Sequence, residues 1–145
     1  MKASEEFQRV LAAYQEDLQR LADSLRPGDG ILGFGRKPGD DPCHERFDEE
    51  TAKLAESWAQ PSSDREEAAE LARRILRCDQ ELTLPVYAQV MLIAIQRHVL
   101  LLIPRLTEPE AREIRLWFEK QYPYFRRVPV QQEILKALKA KSGGR

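Results

Sequence analysis

The stretch that most constrains this chain is residues 82–103, Leu-Thr-Leu-Pro-Val-Tyr-Ala-Gln-Val-Met-Leu-Ile-Ala-Ile-Gln-Arg-His-Val-Leu-Leu-Leu-Ile. It contains no acid, and Arg97 and His98 are its only basic groups. Apolar residues occupy most of a helical circumference here, the pattern of a helix walled in by neighbours. Tyr87 aside, the longest part without an ionisable side chain is 82–96, and that part includes Thr83, Gln89 and Gln96. A bilayer crossing takes roughly 20 apolar residues. The stretch therefore reads as a buried central helix over about 84–103, with no membrane span.

The remaining segments are amphipathic and suit a coat around that rod. Phe7, Leu11, Tyr14, Leu18, Leu21 and Leu25 recur at spacings of four and three, and Val10 widens their stripe, which predicts a helix over 4–26. Pro27-Gly28 stops it. Asp41-Pro42 is a helix start, with Asp41 as cap and proline in the first turn. That helix runs to about 59 with Phe47, Thr51, Leu54, Ala55 and Trp58 on one face. Ser63 with Glu66 fits a capping box for the next helix, whose inner face is Ala68, Leu71, Ala72, Ile75, Cys78 and Leu82. Thr83 is the expected cap of the central helix, and Pro85 is tolerated in its first turn. Thr107 with Glu110 forms a second capping box, opening a helix to about 122 with Ala111, Ile114, Phe118 and Tyr122 inward. Pro129 starts a last helix containing Val130, Ile134, Leu135 and Leu138, and residues 139–145 are expected to fray. No alternating strand pattern and no repeat is present. The expected fold is all-α, a single-domain bundle of about six helices over 1–145.

Bulk composition restricts function more than it assigns it. A chain of 145 residues can bury a core without disulfide or metal staples. Two cysteines and no signal peptide make a reducing cytoplasm the expected compartment. The net charge of −1 conceals an asymmetry: residues 1–111 hold 14 Lys/Arg against 21 Asp/Glu, whereas 112–145 hold 9 against 3. An acidic body with a basic end can dock acidic partners, pack head-to-tail on itself, or touch nucleic acid; solvated surface charge is the plain alternative.

Four constellations could carry chemistry. The first is the loop 27–42, which holds five of the seven glycines. Gly28, Gly30 and Gly33 match G-x-G-x-x-G, but they follow a helix and lack the βαβ setting that motif requires. The plain reading is a long ordered loop held to the bundle by Ile31, Leu32 and Phe34. The second is the loop–helix junction 40–48, where Asp40, Asp41, Cys43 and His44 cluster. A helix N-terminus favours a thiolate, yet the carboxylates oppose it, adjacent helical residues point about 100° apart, and Cys43 shares a stripe with Phe47. Two Cys and two His could in number hold one zinc, but positions 43, 44, 78 and 98 lack the spacing of a finger. No metal or cofactor is assigned, and enzyme activity is not expected.

The third is His98, expected to be a core or boundary histidine hydrogen-bonded to a neighbour. Gln89 and Gln96 share one stripe of the same helix, either an exposed strip or buried amides in a polar network. The fourth is the run Trp117, Phe118, Tyr122, Tyr124 and Phe125 followed by Arg126 and Arg127. Aromatic faces beside arginine suit a protein hot spot or single-stranded nucleic acid; an aromatic corner between helices is the plain alternative. The leading expectation is a protein-interaction or regulatory module, through a protein partner or self-association, with Trp117, Tyr122, Tyr124, Phe125, Arg126 and Arg127 as the candidate surface. Nucleic-acid binding by the basic end and a metal- or thiol-dependent enzyme at 40–48 are the alternatives.

Overall fold

The computed structural model describes residues 1–24 and 37–143, and these form an all-α, single-domain bundle without strands. Six α-helices are present among them: α1 (Ala3–Ser24), α2 (Pro42–Trp58), α3 (Arg65–Glu81), α4 (Val86–Ala94), α5 (Glu108–Gln121) and α6 (Pro129–Lys141). The glycines at 28, 30, 33 and 35, and Ile31, Leu32, Phe34 and Leu25, lie outside the described residues.

Local chemistry sets most helix ends. Asp41 caps α2 by accepting from the Cys43 amide at 3.0 Å, and Pro42 follows at the first position. Thr107 and Glu110 exchange both bonds of a capping box at the start of α5, 3.2 and 2.8 Å. The α3 start differs from the expectation by one residue. Its cap is Asp64, which accepts from the Glu67 amide at 2.9 Å, because Ser63 is engaged elsewhere. The Ser63 hydroxyl donates back to carbonyls of the α2–α3 turn. Arg105 reaches into that turn and donates to the Trp58, Gln60 and Ser63 carbonyls at 3.0, 2.6 and 2.8 Å, and to Ser63 Oγ at 2.5 Å.

α1 and α2 run antiparallel, with Phe47 of α2 stacked on Tyr14 of α1 at a ring separation of 4.1 Å. α1 also lies along α3, where Glu67 accepts from the Ala3 amide at 3.0 Å. α5 and α6 pack as a second hairpin. Between these units runs the apolar rod, contacted by α2, α3 and α6. Phe7, Leu11, Tyr14, Leu71, Ile75, Leu92, Ile95, Leu102, Phe118, Ile134 and Leu138 are among the fully buried side chains. Each large one contributes about 1.5–3 kcal/mol by leaving water.

The rod itself departs from a single 84–103 α-helix. It is α-helical to Ala94 and then a 3₁₀-helix over Ile95–Leu101. Thr83 does not cap it; the cap position is Pro85, without a side-chain bond, and the Leu84 amide is taken by Gln89 Oε1 at 2.9 Å. Nor is the rod walled in all round. Val86, Val90 and Leu101 are exposed on its outer side. No helix among the described residues is long and apolar enough to cross a membrane. At the C-terminal end, where fraying was expected from 139, α6 continues to Lys141 and Ser142 is buried.

Candidate functional site

The aromatic run divides between core and surface. Pro123 ends α5, and Tyr124–Arg126 form a single 3₁₀ turn before Pro129 opens α6. Tyr124 and Phe125 are each 79% exposed, and Arg126 is exposed as well. The guanidinium of Arg126 lies 5.5 Å from the Phe125 ring and that of Arg127 lies 5.9 Å from Tyr124, so each aromatic is flanked by a cation. Tyr122 is buried at 6% exposure and is not available to a partner. Trp117 is half-buried beneath Arg77, 5.8 Å away. The presented surface is therefore a knuckle of Tyr124, Phe125 and Arg126.

A network of buried and half-buried side chains holds that knuckle from below. Tyr122 donates its hydroxyl proton to Asp79 Oδ2 at 3.0 Å and accepts from Gln96 Nε2 at 3.1 Å. Gln131 Nε2 donates to Gln96 Oε1 at 3.1 Å, and Gln131 Oε1 receives the Val128 amide at 3.2 Å. Gln89 Nε2 donates to Asp79 Oδ1 at 2.8 Å. Arg127 Nε closes the turn onto the Tyr122 carbonyl at 2.7 Å. Gln89 and Gln96 are thus amides of a polar network, which ties α3, the rod, α5 and α6 together. Burial, together with the Asp79 charge, pushes the Tyr122 phenol up to about 12 despite bonds from Gln80 and Gln96, so it stays a donor. The sequence reading did not find Asp79 or Gln131. Their spacing carries no motif, and only tertiary packing joins them.

The 40–48 junction is a second, different corner. His44 is buried, and its Nε2 lies 2.7 Å from the Pro38 carbonyl. A carbonyl only accepts, so the ring proton sits on Nε2 and Nδ1 accepts from the Tyr14 hydroxyl at 2.7 Å. Burial raises the Tyr14 phenol, with the neighbouring Cys43 and Tyr87 adding to the effect, which keeps that hydroxyl protonated. Cys43 Sγ and His44 Nδ1 do approach, at 3.9 Å, contrary to the expectation from helical angles. Both side chains are buried at the first turn of α2, and their offset does not keep them apart there. Burial and the Asp41 carboxylate push the Cys43 thiol up to about 12. Cys78, also free, donates its thiol to the Ile75 carbonyl, and burial foremost pushes it to about 12. Asp40 is exposed. Among the described residues no group of three or more Cys, His, Asp or Glu could hold a metal ion.

His98 is half-buried and pairs with α2, its Nε2 lying 2.9 Å from Asp48 Oδ1. Arg97 grips the other carboxylate oxygen at 2.5 Å. Burial opposes ionisation of Asp48, but the bonds from Arg97 and His98 outweigh it and hold the carboxyl below its ordinary value. The boundary-histidine expectation fits this placement.

Beside a wider groove of about 400 Å³, with which it shares Arg9, Val10 and Glu50, a cavity lies on the outer seam of α1 and α2. It measures about 290 Å³ and is floored by Tyr14, Phe47, Val10 and Cys43, with Arg9, Ala13, Asp17, Arg46 and Glu50 at its edge. No stripe or motif marked it in the sequence, because its walls come from two helices. Comparison with known protein families, with curated proteins and with solved structures finds no match to this chain.

Proposed function

We propose that the protein acts by docking to another polypeptide, with Tyr124, Phe125 and Arg126 as the contacting surface and no reaction of its own. One observation carries this reading: two adjacent aromatics are 79% exposed in a turn anchored by buried and half-buried hydrogen bonds. Aromatic rings dominate interface energetics when they are covered. A turn fixed in advance also loses little freedom on binding. The test is a photo-crosslinking residue in place of Tyr124, with and without Phe125→Ala, in lysate and in the purified protein. A specific crosslinked protein that disappears with Phe125→Ala is expected. Absence of any crosslinked protein overturns the reading.

Nucleic acid is the second reading, favoured by the arginines over both rings and by the charge of residues 112–145. It predicts salt-sensitive retention of single strands, weakened by Arg126→Ala with Arg127→Ala; no retention at low salt removes it. Thiol chemistry at 40–48 has less in its favour, since Cys43 is buried and its thiol holds its proton.

A further inference from the structure

The knuckle has a counterpart elsewhere on the same chain. The cavity on the α1–α2 seam has an aromatic and aliphatic floor of Tyr14, Phe47 and Val10, and its volume of about 290 Å³ is small. That is at the low end for a small-molecule site, and it suits one inserted side chain. Its immediate edge is balanced, with Arg9 and Arg46 against Asp17 and Glu50, and the charge bias lies in the two helices as wholes. α1 carries five acids and two bases, and α2 likewise five and two, so the hairpin that forms the cavity has a balance of −6. Residues 112–145, which present the knuckle, have a balance of +6. The edge carboxylate Glu50 is 49% exposed and pairs with Lys53, itself 71% exposed, so this pair can exchange partners at little cost, whereas Asp17 is 13% exposed and already held by Arg20 and Arg46.

We infer that the partner of the knuckle is a second copy of this chain: Phe125 of one protomer seats in the α1–α2 cavity of the next, with Arg126 directed to Glu50. This rests on the docking role proposed above and supplies its partner. The contact is heterologous, because knob and cavity are different surfaces. Repeated, it closes into a ring or extends into a filament. Long-range attraction between the −6 and +6 poles orients the encounter and weakens as salt is added.

The test is sedimentation of the full chain over a wide concentration range at low and high salt, with two single variants and their mixture. Phe125→Ala removes the knob and leaves the cavity intact. Ala13→Trp fills the cavity from an exposed position of α1 and leaves the knob intact. Wild type is expected to associate more at low salt, and each variant to associate at least about tenfold more weakly, the loss of one central aromatic anchor. The equimolar mixture of the two variants is expected to stop at a one-to-one dimer, since only one productive knob and one productive cavity remain. Circular dichroism of both variants matching wild type excludes misfolding as the cause. A wild type that stays monomeric throughout, or one whose association ignores both variants or whose mixture forms no dimer, overturns the inference. The crosslinking experiment separates this from the docking role. A crosslink from position 124 to a different protein, with a monomeric wild type, leaves the docking surface standing and removes self-association. No crosslink and no association removes both.

Discussion

Replacing Tyr122 by phenylalanine deletes one oxygen at the centre of the network that supports the knuckle. That oxygen donates to the Asp79 carboxylate at 3.0 Å and accepts from Gln96 Nε2 at 3.1 Å. A hydrogen bond to a charged acceptor is worth about 1.5–3 kcal/mol, and a buried donor left without a partner costs about 1–3 kcal/mol. Gln96 Nε2 retains the Leu76 carbonyl at 3.4 Å, so its penalty falls at the low end. Asp79 retains Gln89, so it is not stranded. Allowing for the hydroxyl that no longer needs burying, the expected loss is about 2–3 kcal/mol. In urea, with a slope of about 1–3 kcal/mol per molar, this lowers the midpoint by roughly 0.7–3 M. Phe125→Ala, at a position 79% exposed, is the control and should stay within about 0.5 kcal/mol of wild type. Alkaline pH adds a second signature. The folded phenol titrates near 12, above its ordinary 10.0, so its contribution is complete below pH 10 and is lost as pH rises toward 12. Tyr122→Phe should lack that loss. A variant within about 0.5 kcal/mol of wild type at neutral pH would refute the claim that this oxygen holds the network together.

Two more outcomes follow from the same reasoning. Arg105→Ala should destabilise by about 2–3 kcal/mol in the same urea assay, because one guanidinium satisfies three carbonyls and Ser63 Oγ at the α2–α3 turn. Arg105→Lys should recover only part of it, since an ammonium cannot fork. Asp48 has its carboxyl held below its ordinary value, so its contribution is present above that value and is lost as pH falls through the lower folded one. Asp48→Asn should accordingly be less stable than wild type at pH 7, with the gap closing in acid; a gap that does not change with pH contradicts the pairing with Arg97 and His98.

What could be read from the sequence was whatever depends on near neighbours. Asp41 before Pro42 and Thr107 three residues before Glu110 act on amides within their own turn, and both caps are in place. The inward stripes held for the same reason: Phe7, Leu11, Tyr14, Leu18 and Leu21 need only a helical period to share a face. Ser63 was misassigned because its hydroxyl serves carbonyls behind it and Arg105, some forty residues on, joins it there. Tyr122 was legible as an inward residue but not as the support of Tyr124 and Phe125. That role requires Asp79, Gln96 and Gln131 to converge from three elements, and no spacing records such convergence. The α1–α2 cavity was hidden likewise, being a gap between two stripes and a property of neither.

The 3₁₀ run Ile95–Leu101 bears on how the two halves are phased. A 3₁₀-helix turns by about 120° per residue where an α-helix turns by about 100°, and rises about 2.0 Å where the other rises about 1.5 Å. Over these seven residues the difference accumulates to about 140° and about 3.5 Å. Gln96, Val99 and Leu102, three apart, all point inward as a result. Rewound to the ordinary pitch, the same sequence would swing everything downstream, α5 and α6 included, most of a half-turn away from α3. The segment is a spacer cut to an angle as much as a length, and adding or deleting one residue within it should be tolerated far less well than a change of side chain.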